Sequence, residues 1–138
     1  MNPTPSSDTK RILIVDDHYD SRVVFAAALA RSGYEVIEAV DGIEGLKKVE
    51  SEKPDLVILD VMLPKMSGVE LCKLLNAHPS YRSIPLFMVT ARTGPALLKD
   101  IEGCSVTGIL SKPLHPAELL KAIGDYFQEP LAQIKPAS

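Results

Sequence analysis

The sequence predicts an open α/β domain with a doubly wound parallel sheet and helices on both faces. Two observations and one general rule support this prediction. Short apolar segments alternate with longer segments of helical periodicity from residue 11 to residue 127. Three of the apolar segments are continuous, which is typical of strands buried on both faces, as in parallel sheets. Right-handed crossovers between such strands then place helices on both sides of the sheet.

The first half of the domain is predicted to run strand, helix, strand, helix, strand. Residues 11–16 contain four consecutive aliphatic residues and form the first strand. The first helix covers 21–32, with Asp20 as a candidate N-cap and Gly33 as its C-terminal stop. A short strand at 35–39, a helix at 42–51 and a fully apolar strand at 55–60 follow.

The second half continues the same alternation. A helix at 67–77 places three leucines at helical spacing, and a third apolar strand covers 85–90. A weak helix at 95–102 precedes a short strand at 107–110. The last helix covers 116–127 and gathers its apolar residues on one face.

The length, composition and net charge of the chain fit one domain and argue against several functions. The chain has 138 residues, of which 46% are apolar, so it can bury a core. A net charge of −3 without a basic run argues against nucleic-acid binding. No segment reaches the roughly 18 apolar residues of a membrane span, and the N-terminal residues lack the apolar core of a signal peptide. We therefore expect a cytoplasmic protein in which Cys72 and Cys104 are reduced.

The domain boundaries follow from composition. Residues 1–9 are rich in Pro, Ser and Thr and are predicted to be a disordered tail, and residues 129–138 a C-terminal tail or the start of a linker. The folded domain is predicted to cover residues 10–128.

Polar residues collect where the predicted strands end. The run VILDVMLPKMSG at 57–68 stops its aliphatic strand at an aspartate. The carboxyl ends of the strands bring together Asp16, Asp17, Asp60, Thr90 and Lys112. Ligands of doubly wound sheets bind at this edge. Singly, each residue has an ordinary explanation as a cap, turn, strand or solvated residue, but the combination favours a binding site.

The charges of this site predict a cation and a phosphoryl group. Two carboxylates about 4 Å apart repel each other by about 4 kcal/mol at an effective dielectric near 20, so a proton or a cation must offset the repulsion. An oxygen-preferring divalent ion such as Mg²⁺ suits three acids better than a shared proton does. Lys112 can pair with Asp60 or with a phosphate, and Thr90 can donate a hydroxyl hydrogen bond. These groups can place a phosphoryl group on a carboxylate.

From Arg11 to about Phe127 the chain resembles the receiver domain of bacterial two-component response regulators, in the manner of single-domain chemotaxis regulators. The motifs that carry the resemblance are ILIVDD, VILDVMLPKMSG, FMVTA and ILSKPL. The resemblance implies a flavodoxin-like fold, with five parallel strands in the order 2-1-3-4-5 and five flanking helices.

The resemblance also implies a role for each residue of the site. Asp60 is the phosphoacceptor for a histidine kinase or a histidine phosphotransfer protein. Mg²⁺ (or Mn²⁺) is held by Asp16, Asp17, Asp60 and the backbone carbonyl of Met62. Thr90 and Lys112 contact the phosphoryl group, the Lys112–Pro113 peptide bond is cis, and Gly68 permits the tight loop after the site.

One position departs from the family pattern, and two others bear on the lifetime of the phosphoryl group. The switch position, commonly aromatic, is Ile109, so the readout through the fourth helix, fifth strand and fifth helix is expected to differ. Met62 and Arg92 stand where the family tunes the lifetime of the phosphoryl group. Neither side chain can accept a proton from an attacking water, which predicts slow autodephosphorylation. The alternative is that both side chains simply point to solvent.

Other residues leave alternatives open. The first helix is apolar almost all round, and its residues away from Phe25 and Leu29 either form a partner surface or reflect the helix propensity of alanine. His18, His78 and His115 lack metal-ligand spacing. His18 follows the acidic pair and either borders the site or is a surface loop residue, and the surface position is favoured.

Three functions compete. The favoured one is a phosphoryl-gated signalling module, a monomer or weak dimer without nucleic-acid or membrane binding. It is not an enzyme beyond its own phosphorylation and slow dephosphorylation. No DNA-binding or catalytic domain follows Phe127 in this sequence, so we expect output through a protein partner, unless the chain is a fragment of a longer protein. The second function is a phosphohydrolase of the haloacid dehalogenase type, which needs an acid where Met62 stands. The third is a binding module that has lost phosphorylation.

Overall fold

The structure, a computed structural model, describes residues 9–128. The tails predicted at 1–9 and 129–138 lie outside these residues, apart from Thr9. Five strands and five helices alternate. The strands are β1 Arg11–Val15, β2 Glu35–Ala39, β3 Leu56–Asp60, β4 Leu86–Thr90 and β5 Gly108–Ser111. The helices are α1 Tyr19–Arg31, α2 Gly42–Glu52, α3 Gly68–Ala77, α4 Gly94–Asp100 and α5 Pro116–Phe127.

The five strands form one parallel sheet in the order β2-β1-β3-β4-β5. This confirms the predicted fold class and strand order. The order reverses between β1 and β3, so the crevice at a topological switch point lies beyond the carboxyl ends of these two strands.

The side chains of each strand alternate between two apolar cores. On one face, Leu13, Leu59 and Met88 pack with residues of α2 and α3. On the other, Ile14 and Ile58 pack with residues of α1 and α5. Because both faces of the central strands are covered, these strands carry continuous apolar runs.

The ends of α1 test the predicted caps. The helix begins at Tyr19 with His18 as its N-cap, so the prediction that Asp20 is the N-cap is wrong. Asp20 lies in the first turn, where a carboxylate is also favoured by the helix dipole, so the sequence signals of the two positions overlap. Gly33, with φ of +98°, ends the helix as predicted. The Tyr34 amide donates to the Leu29 carbonyl at 3.1 Å across this turn.

Three local features complete the fold. Helix α3 begins after Ser67, which forms a capping box with Glu70. Cys72 and Cys104 are both free thiols, as expected, and burial raises the pKa of Cys72 to about 12. Within residues 9–128, the helices are too short or too polar to cross a membrane.

Candidate functional site

The loop after β1 places two carboxylates at the carboxyl edge of the sheet. Asp16 is 7% exposed, and its Oδ1 accepts a hydrogen bond of 2.9 Å from the backbone N–H of His18. The Arg22 guanidinium donates to the backbone carbonyl of Asp16 at 2.9 Å and pairs with Glu38 at 2.8 Å. Asp17 is exposed beside it. Arg22 in the first turn of α1, itself paired with Glu38 of β2, therefore stabilises the loop.

Asp60 is the last residue of β3 and has both oxygens held. It is 3% exposed. Its Oδ1 accepts from the backbone N–H of Met62 at 3.0 Å, and its Oδ2 is 2.8 Å from Lys112 Nζ. The carboxylate is thus fixed in orientation at the bottom of the crevice.

Gly68 allows the chain to return close to Asp60. The Gly68 N–H donates to the Val61 carbonyl at 2.9 Å. A Cβ at position 68 would overlap the backbone carbonyl oxygen of Asp60 and lie 2.9 Å from Val61 Cα. The residue that starts α3 must therefore lack a side chain for the loop to close in this way.

β4 and β5 supply the remaining polar groups. Thr90 is the last residue of β4 and is buried, and its Oγ1 accepts from the Arg92 N–H at 3.0 Å. A hydroxyl that accepts one hydrogen bond can still donate another. Lys112 follows β5, and its N–H donates to the Thr90 carbonyl at 2.9 Å. The Lys112–Pro113 peptide bond is cis.

The crevice holds more negative charge than its lysine neutralises. Burial raises the pKa of Asp16, the neighbouring Asp60 raises it further, and the hydrogen bond from His18 N–H opposes the rise. Ligand atoms of Asp16, Asp17, His18 and Asp60 lie within 4.8 Å of one another. Three carboxylates in this arrangement suit a divalent cation that prefers oxygen.

A cavity of about 430 Å³ adjoins these carboxylates. Its lining includes the polar side chains of Asp16, Asp60 and Lys112 and the apolar side chains of Phe25 and Leu114. The cavity lies between α1 and the loop from β5 to α5. It offers an approach to Asp60 lined by both polar and apolar side chains.

Three of the predicted site residues carry side chains that are exposed or paired outside the crevice. The Met62 side chain is 68% exposed. Arg92 Nε is 2.8 Å from Asp100 Oδ2, so its guanidinium pairs within the α4 region. Ile109 is 37% exposed on β5. Roles for these residues in phosphoryl lifetime and readout remain predictions.

His18 occupies both positions that the sequence interpretation treated as alternatives. The favoured surface position is confirmed, since the side chain is 70% exposed, and His18 Nδ1 is also 3.6 Å from Asp17 Oδ1 and 3.7 Å from Asp16 Oδ1. The side chain is both exposed and at the rim of the acidic cluster. The adjacency Asp-Asp-His was the available signal, but sequence spacing alone did not indicate which way the imidazole turns.

Fold and site together define a class of domain that presents a fixed aspartate to a phosphoryl donor at the switch point of a doubly wound sheet. The family model for the response regulator receiver domain matches residues 12–124. The chain belongs to this family, which serves as the phosphoacceptor in two-component signalling.

Named relatives support this membership. The alkaline phosphatase synthesis transcriptional regulatory protein PhoP of Bacillus subtilis is 44% identical over 80% of this chain, which covers 45% of PhoP. The protein PilG of Pseudomonas aeruginosa is 30% identical over 85% of this chain and 87% of PilG. The response regulator DivK of Brucella ovis is 31% identical over 86% of this chain and 96% of DivK. The chain thus spans less than half of one relative and most of the others.

Solved structures share the fold. The chemotaxis response regulator CheY4 of Vibrio cholerae superposes with a TM-score of 0.79 at 34% identity, covering 85% of this chain and 98% of CheY4. The receiver domain of the sensor histidine kinase PA1611 of Pseudomonas aeruginosa superposes with a TM-score of 0.80 at 25% identity, covering 88% of this chain and 99% of that domain. That domain has a magnesium ion coordinated in its active site cleft.

Proposed function

We propose that Asp60 accepts a phosphoryl group from a phosphohistidine, and that phosphorylation changes the affinity of the domain for a protein partner. The observation that carries the proposal is the position of Asp60. Its carboxylate is buried at the end of β3, it is held by Met62 N–H and Lys112, and it lies beside Asp16. The donor is a histidine kinase or a histidine phosphotransfer protein.

The chain's own groups position the reacting carboxylate. One Asp60 oxygen attacks phosphorus, a P–O bond forms as the P–N bond breaks, and the bonding pair returns to the donor imidazole. The product acyl phosphate no longer carries the carboxylate charge that Lys112 neutralises. The ammonium group then pairs with a phosphoryl oxygen, and the Thr90 hydroxyl donates to another.

The donor set fits Mg²⁺ or Mn²⁺. The ligands would be carboxylate oxygens of Asp16, Asp17 and Asp60 and the backbone carbonyl of Met62. When bound, the ion neutralises charge on the carboxylates and on the incoming phosphoryl oxygens. The magnesium ion of the PA1611 receiver domain supports this proposal.

The cavity beside Asp60 suits the donor side chain. A phosphohistidine brings an imidazole ring behind an anionic phosphoryl group. The lining residues Phe25 and Leu114 can contact the ring, and Lys112 also lines the cavity. Val23 and Val24 of α1, the helix that carries Phe25, expose further apolar side chains to which the donor protein can bind.

The output surface is proposed to be the face of α4, β5 and α5. Leu98, Ile109 and Tyr126 expose apolar side chains on these three elements. Ile109 is smaller than the aromatic residue common at this position in the family. Coupling then depends on movement of the Thr90 loop and α4 rather than on an aromatic rotamer. The cytoplasmic location, the monomeric or weakly dimeric state and the lack of a separate enzymatic activity stay predictions.

The acyl phosphate is proposed to be long-lived. The thioether of Met62 cannot orient or deprotonate an attacking water, and the Arg92 guanidinium pairs with Asp100. Met62→Asn should speed loss of the phosphoryl group several-fold, because an amide can hold a water near phosphorus. Decay followed by intact-protein mass tests this, and an unchanged rate would contradict the role of position 62.

The central experiment is phosphorylation of wild type and Asp60→Asn by acetyl phosphate or a phosphohistidine donor, with and without Mg²⁺. Wild type should gain one phosphoryl group only with the cation, and Asp60→Asn none. Asp55→Asn, which alters an exposed acid before β3, is the matched control and should behave as wild type.

The same experiment separates the competing functions. A wild-type protein that stays unmodified at residue 60 would favour a binding module without phosphorylation. A phosphate ester added to the same assay tests the phosphohydrolase, which sustained turnover of the ester would favour. Modification in Asp60→Asn would show that another residue is the acceptor.

A further inference from the structure

His18 stands in the N-cap position of α1, but its side chain does not cap the helix. Among the described residues, no hydrogen bond joins the imidazole to the first turn of α1. Helices prefer Ser, Thr, Asp or Asn at this position because their oxygens accept from the first-turn amides. The usual structural reason for a side chain at an N-cap is therefore absent in this part of the chain.

The imidazole is turned instead toward the carboxylates. His18 Nδ1 is 3.6 Å from Asp17 Oδ1 and 3.7 Å from Asp16 Oδ1. Both distances exceed the usual length of a hydrogen bond. Two ligands of one small divalent ion, each about 2.1 Å from it, lie about 3.0 Å apart when adjacent and about 4.2 Å apart when opposite. The separations of the nitrogen and oxygen atoms fall between these limits.

The added nitrogen changes which ions the crevice prefers. A set of oxygen ligands alone suits Mg²⁺, which rarely exchanges water for imidazole. Imidazole nitrogen raises the affinity for Co²⁺, Ni²⁺ and Zn²⁺, which bind nitrogen and oxygen together.

We propose that His18 Nδ1 is a ligand of the cation site with Asp16, Asp17 and Asp60, and that it gives the site a preference for nitrogen-binding divalent transition metals over Mg²⁺. This inference rests on the cation site of the proposed function and adds its selectivity. His18 projects from the exposed rim, so the imidazole can reach the ion without changes in the buried part of the crevice.

The test compares binding of Co²⁺ and of Mg²⁺ to wild type and His18→Asn, by calorimetric titration at pH 8, where an ordinary imidazole is neutral. Asparagine is a favoured N-cap residue, so this variant keeps α1 intact. The ratio of Co²⁺ affinity to Mg²⁺ affinity should fall at least about tenfold in His18→Asn, with Mg²⁺ affinity unchanged within about twofold. His115→Asn is the matched control because His115 is the N-cap of α5, and it should leave the ratio unchanged.

A spectroscopic signature gives an independent readout. Co²⁺ bound to the ring should produce a strongly shifted proton signal from the His18 imidazole, which His18→Asn removes and His115→Asn retains. An unaltered affinity ratio in His18→Asn, or a shifted signal that persists in this variant, overturns the inference. If Mg²⁺ still binds in that case, the proposed function is unaffected. Failure of wild type to bind either ion overturns the proposed cation site and the inference with it.

Discussion

The two edges of the sheet carry similar charges in different surroundings. At the amino edge, where the strands begin, one arginine lies among three acids. Arg11 Nη2 is 2.6 Å from Glu52 Oε1, and Arg11 Nε is 3.4 Å from Glu35 Oε2. The Arg11 backbone N–H donates to Asp55 Oδ2 at 2.8 Å. Each acid at this edge thus has a direct contact with the same residue.

At the carboxyl edge one lysine lies among three aspartates, but the contacts are unequal. Lys112 Nζ is 2.8 Å from Asp60 Oδ2. Its charge also lowers the pKa of Asp16 from a greater distance, but this effect is smaller than the rise that burial causes. The side chains of Asp16 and Asp60 are buried, whereas those of Glu35 and Glu52 are partly exposed.

The comparison teaches that a count of charges does not define a site. The amino edge is a set of satisfied ion pairs that contributes to stability. The carboxyl edge keeps buried negative charge without a full set of partners, which lowers stability and leaves affinity for a cation. Natural proteins commonly hold such unfavourable groups where they function.

The largest expected effect concerns the crowded backbone of the carboxyl edge. Gly68→Ala should lower the free energy of unfolding by about 3 kcal/mol, because the new Cβ overlaps backbone atoms that cannot move independently. Urea denaturation measures this.

The control for this crowding is Gly33→Ala. Gly33 has φ of +98° and nothing within 4 Å of the added atom, so the variant should lose only about 1 kcal/mol from backbone strain. Equal losses in the two variants would contradict the crowding at Asp60.

The next effect concerns unpartnered charge. Asp16→Asn should raise the free energy of unfolding at pH 7, without divalent cations, by about 1 kcal/mol. The amide oxygen can still accept from His18 N–H, so the change removes charge and keeps the hydrogen bond. Asp20→Asn is the control, because it removes a carboxylate that the dipole of α1 favours, and should lower stability by a few tenths of a kcal/mol.

The gain from Asp16→Asn should depend on pH and on Mg²⁺. Because the pKa of Asp16 is raised above its ordinary 3.8 in the folded state, the folded state keeps this proton to higher pH than the unfolded state. Wild type therefore loses stability as pH rises from 3.8 through the raised pKa. The gain should be absent below that window and full above it.

Saturating Mg²⁺ should reverse the sign. Wild type binds the ion and gains about 2.7 kcal/mol when the concentration is 100 times Kd, whereas the variant gains less. A difference between the two proteins that is constant across pH and Mg²⁺ would contradict the role of Asp16 charge.

The smallest effect concerns the amino edge. Glu52→Gln should lower the free energy of unfolding by about 0.5 kcal/mol, less at high salt, because it weakens the pair with Arg11. Glu50→Gln, also in the last turn of α2, shares the helix-dipole effect and gives the baseline. The same change from carboxylate to amide should thus stabilise one edge and destabilise the other.

The sequence predicted the fold well because burial on both faces leaves a strong pattern. β2 and α5 have the predicted bounds, and the other strands differ by one or two residues at their ends. The helix starts were less predictable, since Asp20 suits both a cap and a first turn. α4 covers 94–100 rather than 95–102, because the chain turns at Ile101 and Gly103 takes φ of +84°.

The site was predictable to the extent that topology determines it. Parallel strands bring their carboxyl ends to one edge, so the convergence of Asp16, Asp60, Thr90 and Lys112 followed from their positions alone. The directions of exposed side chains did not follow. Whether His18 turns to the acids and Arg92 to Asp100 depends on rotamers and neighbours that the sequence pattern does not encode.

The exposure of α4 has a consequence for its local stability. None of the seven residues of α4, all in the described part of the chain, is buried. Neighbours of α4 such as Ile101 and Val106 join the core instead. Local opening of this seven-residue helix therefore breaks little more than its own backbone hydrogen bonds, while β1 and β3 open only with global unfolding. Amide hydrogen exchange should therefore be fast in α4 and slow in β1 and β3. The α4 side of the domain can rearrange repeatedly while the central strands stay folded.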